Sequence, residues 1–484
     1  MHKTHIQVIL FFILFSCCAG NKIPVPASSE TEKIILETSR SSSLKGNFFA
    51  FNTANLFTFF NSDEASFLNT VHALNPQMLR FPGGTIANFY HPSGKGYGFR
   101  KSDVKTREGG IDTNINNLLA DQDAMKDTGN FLKRFIPFAK NLNTKIIYVA
   151  NILTGEISET IQALEIIQSS GLTVEYVELG NEFYLNAYKD LVPDASEYVK
   201  KARPFAQAIR QKFPQLKLSV PAEAKPHKAV NKASGWDLML SKFNFYDAVS
   251  IHIYPDFKLC SSPNKSANFD CYSNGVNQFI FQLYPDYLKR TSKLYQNKPL
   301  LITEWNIARP NRIFGNTMLH GIYTALFLLE NMQLNLINPA VQLMCFHNLA
   351  SKENAFSLLT PADLNESFPP SVNYAVFKML APIADKPELV PVKTSLPDNH
   401  KIKVYAFRVS GKYHLYIMNY GATKFNFKGF SNENGNVPEI TYAECLYGEG
   451  KEKKGASLES YRYKADADAV NCPPYSFTHV TLKF

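Results

Sequence analysis

The chain has 484 residues, more than one typical domain contains, and 45% of them are hydrophobic, which excludes a globally disordered protein. Its net charge of +9 would suit an acidic polysaccharide, an anionic membrane surface or a nucleic acid as a partner. Because the sequence lacks a basic stripe with interleaved aromatic residues, we expect no nucleic-acid partner.

The first 20 residues have the pattern of an export signal: Lys3 precedes an apolar run at residues 8–15, and small residues follow. That run is too short to span a bilayer. Two interpretations stay open. Residues 14–17 resemble a bacterial lipobox, in which Cys17 would carry lipid and anchor the protein to a membrane. Cleavage near Gly20 would instead give a freely secreted protein. Both predict an exported protein, whether periplasmic, held at the cell surface or secreted.

Five cysteines follow the signal, and an oxidising compartment favours disulfide bonds between them. We predict one pair between Cys260 and Cys271, which flank a polar loop. We predict a second pair between Cys445 and Cys472, which both lie in the C-terminal segment. Cys345 stands in an apolar run and is expected to be a buried free thiol. The spacing of the five matches no zinc motif.

Residues 45–385 alternate short β-branched or aromatic runs with amphipathic helical patterns, which predicts repeated βα units around a parallel sheet. There are eight candidate strands, the number in a (β/α)8 TIM barrel. They span residues 47–52, 78–81, 145–151, 174–179, 217–220, 248–253, 300–303 and 340–346. The helical patterns between them include residues 158–168, 196–212 and 316–331.

Beyond residue 385 the pattern changes, because the strands predicted at 403–409, 413–418 and 477–482 are separated by turns rather than helices. We therefore predict an α/β fold, with a catalytic (β/α)8 barrel over residues 45–385 and a C-terminal β-sandwich domain over residues 386–484. Residues 21–44 form an N-terminal segment, and their apolar run at 33–36 is a candidate extra strand of the sandwich.

Polar and aromatic side chains stand where several of the barrel strands end, and this edge is where a parallel barrel builds its active site. They are Arg80 after strand two, Asn151 after strand three, Asn181 and Glu182 after strand four, His252 and Tyr254 after strand six, Glu304 and Trp305 after strand seven, and His347 and Asn348 after strand eight. Their convergence predicts a site at the mouth of the barrel.

Two carboxylates at such a site suit the cleavage of a glycosidic bond. One must be protonated to give its proton to the leaving oxygen, and the other must be ionised to attack the anomeric carbon. Burial and mutual repulsion raise the pKa of the acid, and a cation such as Arg80 lowers that of the nucleophile. A retaining enzyme holds the two carboxyl groups about 5–5.5 Å apart, and an inverting enzyme about 6.5–9.5 Å. We expect neither a cofactor nor a metal.

The Asn181-Glu182 pair, the histidine and tyrosine at 252 and 254, and Glu304 together resemble clan A of the glycoside hydrolases. That resemblance implies a retaining mechanism with Glu182 as acid/base and Glu304 as nucleophile. It also implies that Asn181 hydrogen-bonds the substrate 2-hydroxyl group and that Tyr254 contacts the nucleophile. Residues 79–84, 178–182 and 303–306 are similar to the α-L-arabinofuranosidases of family 51, and residues 74–81 and 178–182 to the heparanase and β-glucuronidase family 79.

The resemblance to family 51 is incomplete, because residues 51–55 lack the glutamate that this family uses to hold a furanose. Three hypotheses therefore remain. The first is an arabinofuranosidase-like retaining hydrolase of terminal sugars on polysaccharides or oligosaccharides. The second is a β-glucuronidase- or heparanase-like hydrolase of glycans that contain uronic acid. The third is a non-catalytic, glycan-binding surface lipoprotein.

Several site residues also have a purely structural interpretation. Arg80 could bridge barrel strands, His252 could support other residues, and Trp305 could be core rather than the floor of a sugar subsite. Gly83 and Gly84 are expected to form a tight turn with positive φ. Glu178 is predicted to face away from Glu182 and to be structural.

Overall fold

The computed structural model describes residues 32–54, 56–103, 116, 118–120, 129–223, 234–255, 265–307, 315–351, 356–360, 370–396, 401–448, 459–462 and 469–484. The predicted export signal and Cys17 lie outside the described residues and stay predictions. The described residues all belong to one compact unit, Glu32–Phe484. Within them, no helix combines the length and the apolar character that crossing a membrane requires.

Eight parallel strands close into a barrel, as the sequence predicted. Two short strands precede them in the chain, β1 (Glu32–Leu36) and β2 (Ser42–Ser43). The barrel strands are β3 (Asn47–Asn52), β4 (Met78–Phe81), β5 (Lys145–Ala150), β6 (Val174–Leu179), β7 (Lys217–Pro221), β8 (Ala248–Ile253), β9 (Leu300–Trp305) and β10 (Val341–Phe346). Each strand pairs with the next one in sequence, and β10 returns to β3. Almost every residue of these strands is buried, which is why they read as continuous apolar runs.

Helices cover the outside of the barrel. They are α1 (Leu56–Phe59), α2 (Ala65–His72), α3 (Phe131–Asn141), α4 (Ile157–Ser169), α5 (Ala195–Lys212), α6 (Gly235–Leu240), α7 (Lys265–Gln278), α8 (Tyr284–Leu294), α9 (Met318–Ile337) and α10 (Val372–Leu380). Side chains cap the unpaired amides at several of their first turns. Asp194, for example, accepts hydrogen bonds from the backbone N–H groups of Ser196 and Glu197 at the start of α5. The three helices predicted in the sequence correspond to α4, α5 and α9.

The remaining strands form two further sheets, which make up the β-sandwich. These strands are β11 (Glu388–Val390), β12 (Val392–Thr394), β13 (Ile402–Val409), β14 (Lys412–Asn419), β15 (Phe425–Asn432), β16 (Glu439–Tyr447), β17 (Glu459–Arg462), β18 (Val470–Cys472) and β19 (Ser476–Lys483). One sheet has the order β12-β1-β15-β18, and the other β17-β16-β19-β14-β13-β11-β2. The N-terminal segment therefore contributes a strand to each sheet.

Two separate layers of side chains lie on the two faces of the barrel wall. The inner layer contains Met78, Tyr176 and Leu301, in a cluster separate from the large core between strands and helices. Successive side chains of a strand alternate between faces, so the residues two positions further on also point into the barrel. Those residues are Arg80, Glu178 and Thr303. The prediction that Glu178 faces away was wrong, since its carboxylate accepts hydrogen bonds from Arg80 and Thr303 inside the barrel.

The predicted disulfide between Cys445 and Cys472 does not form. Cys445 lies on β16 of the seven-stranded sheet and Cys472 on β18 of the four-stranded sheet, and both are recorded as thiols. The Cys445 sulfur accepts a hydrogen bond from the Thr478 hydroxyl at 3.2 Å. Cys345 is a buried free thiol, as expected. Cys260 lies outside the described residues, so its pairing with Cys271 stays a prediction. Cys271 itself belongs to α7, where the sequence indicated a loop.

Candidate active site

The two candidate catalytic carboxylates meet at the mouth of the barrel. Glu182 follows β6, and Glu304 lies near the end of β9, 122 positions later in the chain and three strands away around the barrel. One oxygen of each lies, together with a ring nitrogen of His252, in a group of atoms that are all within 4.8 Å of one another. The two carboxyl groups therefore face one shared space at the mouth of the barrel.

Glu304 is buried and fully engaged in hydrogen bonds. Its Oε1 accepts from an Arg80 Nη1 at 2.7 Å, and its Oε2 accepts from the Tyr254 hydroxyl at 2.7 Å. Burial alone would raise the pKa of this carboxyl group. Interactions with His252, His347 and Arg80, together with the hydrogen bond from Tyr254, outweigh burial and hold the pKa well below its ordinary value. The surroundings of Glu304 therefore favour its ionised form.

Arg80 is the centre of this charge arrangement, with its side chain completely buried. Its Nε donates to Glu178 at 2.7 Å, its Nη1 to Glu304, and its Nη2 to the Asn181 side-chain oxygen at 2.8 Å. Burial opposes its charge, but the two carboxylates more than compensate and raise its pKa. One guanidinium thus holds Glu178, Glu304 and Asn181 together through hydrogen bonds.

Glu182 sits on a sharp turn at the end of β6. Gly180 and Glu182 both have positive φ, 82° and 51°. The carboxyl Oε1 lies 2.8 Å from His252 Nδ1 and accepts a hydrogen bond from the Tyr184 hydroxyl at 3.3 Å. The side chain of Glu182 is 16% exposed, against 5% for Glu304. Glu182 is thus the more exposed of the two carboxyl groups.

A chain of hydrogen bonds defines the proton positions on His252. The Thr303 hydroxyl donates to Glu178 at 3.2 Å, so its oxygen is left to accept from His252 Nε2, 3.1 Å away. The Nε2 atom therefore carries a proton, and Nδ1 faces Glu182 either as an acceptor from the protonated acid or as a donor to the carboxylate. Burial lowers the pKa of His252, but Glu304 and Glu182 outweigh it and raise the value.

Asn181 presents an unused donor to the site. Its side-chain oxygen is taken by Arg80, whereas its Nδ2 is buried and has no hydrogen-bond partner in the described part of the chain. A buried N–H group without a partner is costly and is expected to find one when a ligand binds. This geometry agrees with a bond from Asn181 to a substrate hydroxyl group.

The ends of β8 and β10 complete the surroundings of Glu304. The ring of His347 packs edge-on against Tyr254 with centroids 6.0 Å apart, and its Nδ1 is 3.6 Å from Glu304 Oε2. Burial lowers the pKa of His347, although Glu304 opposes this. The side-chain oxygen of Asn348 is buried without a partner among the described residues. Asn306 donates to the His347 carbonyl at 2.8 Å and so fixes this strand end.

Two predicted contacts with the substrate were wrong. Trp305 is completely buried in the core outside the barrel, where its ring contacts Phe327, Phe346 and Phe377 at centroid distances of 5.3, 5.1 and 6.2 Å. The register of β9 shifts between Ile302 and Glu304, so that Thr303 and Glu304 both reach the barrel interior and Trp305 faces outward.

Asn151 is the second wrong contact, because its side chain organises its own loop. It accepts from the backbone N–H groups of Leu153 and Thr154 and donates to the Tyr90 carbonyl at 3.2 Å. These bonds occupy both ends of the amide. Asn151 therefore orders the loop between β5 and α4 and links it to the connection between β4 and α3.

The sequence analysis missed three residues that contact the site directly. Asn88 holds the backbone of Asn181, Tyr184 donates to Glu182, and Thr303 links His252 to Glu178. Tyr184 and Thr303 lie within two positions of a predicted catalytic glutamate, and this proximity in sequence could have identified them. No feature of the sequence could have identified Asn88, since its partner is a backbone group 93 positions away. Gly83 and Gly84 have φ of 70° and 68°, as expected.

Glu182, His252 and Glu304 are a set that could hold a metal ion. In this structure their atoms already bond to one another and to protein donors: His252 to Glu182, and Arg80 and Tyr254 to Glu304. The guanidinium supplies the positive charge that Glu304 requires. The absence of a metal requirement stays a prediction.

Known proteins were compared with the chain in sequence and in structure, and only the structures match. No protein-family model matches the chain, and no curated protein sequence matches it. A (β/α)8 barrel joined to a β-sandwich is nevertheless the fold of many solved structures. The chain is similar to the GH51 arabinofuranosidase of Xanthomonas axonopodis pv. citri, with 13% identity, TM-score 0.66, and coverage of 94% of this chain and 100% of that one.

Two other solved structures share the fold. The α-L-arabinofuranosidase of Thermotoga maritima, in complex with arabinose, has 15% identity and TM-score 0.67 over 94% of this chain and 100% of its own. A family 44 xyloglucanase of Paenibacillus polymyxa, with xyloglucan, has 13% identity and TM-score 0.59 over 94% and 100%. At these identities the likeness establishes the fold, and the function must be argued from the site.

Proposed function

We propose that the protein is a retaining glycoside hydrolase with Glu304 as nucleophile and Glu182 as acid/base. The observation that carries the proposal is the meeting of the two carboxyl groups, with oxygens within 4.8 Å, at the mouth of the barrel. Their environments differ as the two roles demand. Arg80 and Tyr254 donate hydrogen bonds to Glu304 and favour its ionised form, whereas Glu182 lies within hydrogen-bond distance of His252 and is the more exposed of the two.

The reaction has two displacements. First, a Glu304 oxygen forms a bond to the anomeric carbon while the bond to the leaving oxygen breaks, and Glu182 gives that oxygen its proton. Next, the ionised Glu182 takes a proton from water, whose oxygen attacks the same carbon and releases Glu304. The His252 Nδ1 atom can accept a hydrogen bond from protonated Glu182 and, when His252 is protonated, donate one to the carboxylate. It thus supports both states of the acid/base.

We propose a terminal sugar without a carboxylate, first an α-L-arabinofuranosyl group, as the substrate. The fold is that of arabinofuranosidases, and the Nδ2 of Asn181 offers a donor to a hydroxyl group. The three nitrogens of Arg80 are all bonded to Glu178, Glu304 and Asn181. Within the described site residues this leaves no guanidinium for a uronate, so we place uronic acid-containing glycans second.

A panel of 4-nitrophenyl arabinofuranoside, xyloside, galactoside and glucuronide would test the substrate class. We expect release of 4-nitrophenol from the arabinofuranoside to exceed that from the glucuronide. Faster release from the glucuronide would favour the second candidate. Binding of glycans without any turnover across the panel would contradict the hydrolase and favour a non-catalytic glycan-binding protein.

Glu182→Ala should separate the two half-reactions. A general acid contributes about 10²- to 10⁴-fold, so we expect a loss in this range on alkyl glycosides and a smaller one in kcat/KM on activated 4-nitrophenyl glycosides. Azide needs no general base, and its addition should raise kcat and yield a glycosyl azide of retained configuration. Glu175→Ala, at the opposite end of the same strand, serves as the control and should have normal activity. An unaltered rate for Glu182→Ala on alkyl glycosides would contradict the assignment.

A further inference from the structure

The side chain of Asn88 pairs with both backbone groups of one residue in the active site. Its Oδ1 accepts from the Asn181 backbone N–H at 2.9 Å, and its Nδ2 donates to the Asn181 carbonyl at 2.7 Å. Asn88 is completely buried, as is Asn181. In such surroundings two complementary hydrogen bonds fix the backbone of that residue, through the peptide groups on both sides of it, because losing either bond leaves a buried polar group without a partner.

The residue whose backbone Asn88 holds, Asn181, belongs to the turn that presents Glu182. β6 ends at Leu179, and Gly180 and Glu182 on either side of Asn181 have positive φ. A left-handed conformation is unfavourable for a glutamate and persists only where the surroundings impose it. The backbone of Asn181 is the point at which Asn88 holds this turn. A shift there would move both the Glu182 carboxyl group and the Asn181 donor.

Asn88 itself is anchored to the next strand of the barrel. It ends a short 3-10 helix, Thr85–Asn88, behind the Gly83-Gly84 turn. The Thr154 hydroxyl lies 3.4 Å from the Asn88 carbonyl and accepts from Asn151 Nδ2 at 3.0 Å. The loop that ends β5 therefore supports Asn88, and Asn88 supports the end of β6. Asn151 thus acts on the site indirectly, through Thr154 and Asn88, which holds the turn of Glu182.

We propose that Asn88 is a positioning residue for proton transfer by Glu182. The inference rests on the proposed function, since it assigns Asn88 to the step in which Glu182 protonates the leaving group. An amide is required at this position because it both donates and accepts. An aspartate has the same shape and can accept from the Asn181 N–H group, but it places a second acceptor against the Asn181 carbonyl.

The test compares Asn88→Ala and Asn88→Asp with the wild type on the methyl and 4-nitrophenyl glycosides of the sugar that the panel selects. Misplacement of an acid by about 1 Å costs on the order of 10²-fold. We expect kcat/KM on the methyl glycoside, which needs the proton, to fall about 10- to 100-fold more than on the 4-nitrophenyl glycoside. Azide should raise kcat of both variants on the activated substrate. Asn88→Asp keeps the shape and supplies the result if Asn88→Ala does not fold.

Asn130→Ala is the matched control. Asn130 is a buried asparagine that donates to the His91 and Gly94 carbonyls in the same stretch of chain and does not contact Asn181. The Asn130→Ala variant should have a lower melting temperature. Its kcat/KM should fall by the same factor on the methyl and 4-nitrophenyl glycosides, and azide should not raise its kcat. Equal losses on the two glycosides in both Asn88 variants, without azide rescue, would overturn the inference. If Glu182→Ala in the same assay showed no difference between the glycosides, the proposed function would fail and the inference with it.

Discussion

Glu304→Gln is expected to abolish turnover while leaving the protein folded. An amide is a poor nucleophile toward an anomeric carbon, so the first displacement loses its attacking group. By analogy with other enzymes that lose a nucleophile, kcat should fall by at least about 10⁴-fold. Gln keeps the volume of Glu, and Arg80 retains Glu178 as a partner, so the circular dichroism spectrum should not change. The measurement is kcat on the activated glycoside.

Glu330→Gln provides the control for this substitution. Glu330 is a partly buried glutamate on α9 that bonds to the Tyr405 hydroxyl of the sandwich, away from the barrel mouth. The same chemical change there should leave kcat unaltered. Near-normal activity of Glu304→Gln, or an equal loss in Glu330→Gln, would contradict the role of Glu304.

Arg80→Met should cause the largest loss of stability. The change leaves Glu178 and Glu304 buried without their cation, and breaking a buried ion pair in this way costs about 3–5 kcal/mol in the free energy of unfolding. Activity should also change with pH. Without the guanidinium the pKa of Glu304 rises, so the acid limb of kcat/KM should shift to higher pH. Chemical denaturation and the pH profile measure the two effects.

Arg210→Met is the matched control, because Arg210 pairs with Asp247 at 2.9 Å where both side chains are well exposed. Exposed ion pairs contribute at most about 1 kcal/mol. The double substitution Arg80→Met with Glu178→Gln removes one of the two unpaired charges and should recover part of the stability. If Arg80→Met lost no more stability than Arg210→Met, Arg80 would not be the centre of charge that the structure describes.

The barrel was predictable because its strands are buried on both sides and its helices are amphipathic, so each element has a pattern of its own. Part of the site was predictable because the carboxyl ends of parallel strands all lie at the same end of the barrel. The residues that reach this end are Glu182, Glu304, Arg80, His252 and Tyr254. The outward orientation of Trp305 depends on a register irregularity of β9 between Ile302 and Glu304, which strict alternation along the sequence does not predict.

Other features depend on contacts between distant parts of the chain. Cys445 and Cys472 are close in sequence, but the pairing of their strands assigns them to different sheets. Asn151 could have bonded to a ligand, and only its loop shows that its amide is occupied. The partner of Asn88 is a backbone group, and a backbone partner cannot be inferred from the types of residue in the sequence. Positions of this kind follow from tertiary structure rather than from local pattern.

The most direct test of the account is identification of the covalent intermediate. The wild-type protein would be incubated with an activated 2-deoxy-2-fluoro glycoside of the preferred sugar, and its intact mass and peptides measured by mass spectrometry. We predict a mass increase of one fluoroglycosyl group on the peptide that contains Glu304. Attachment at another residue, or the absence of an adduct together with a product of inverted configuration, would contradict it.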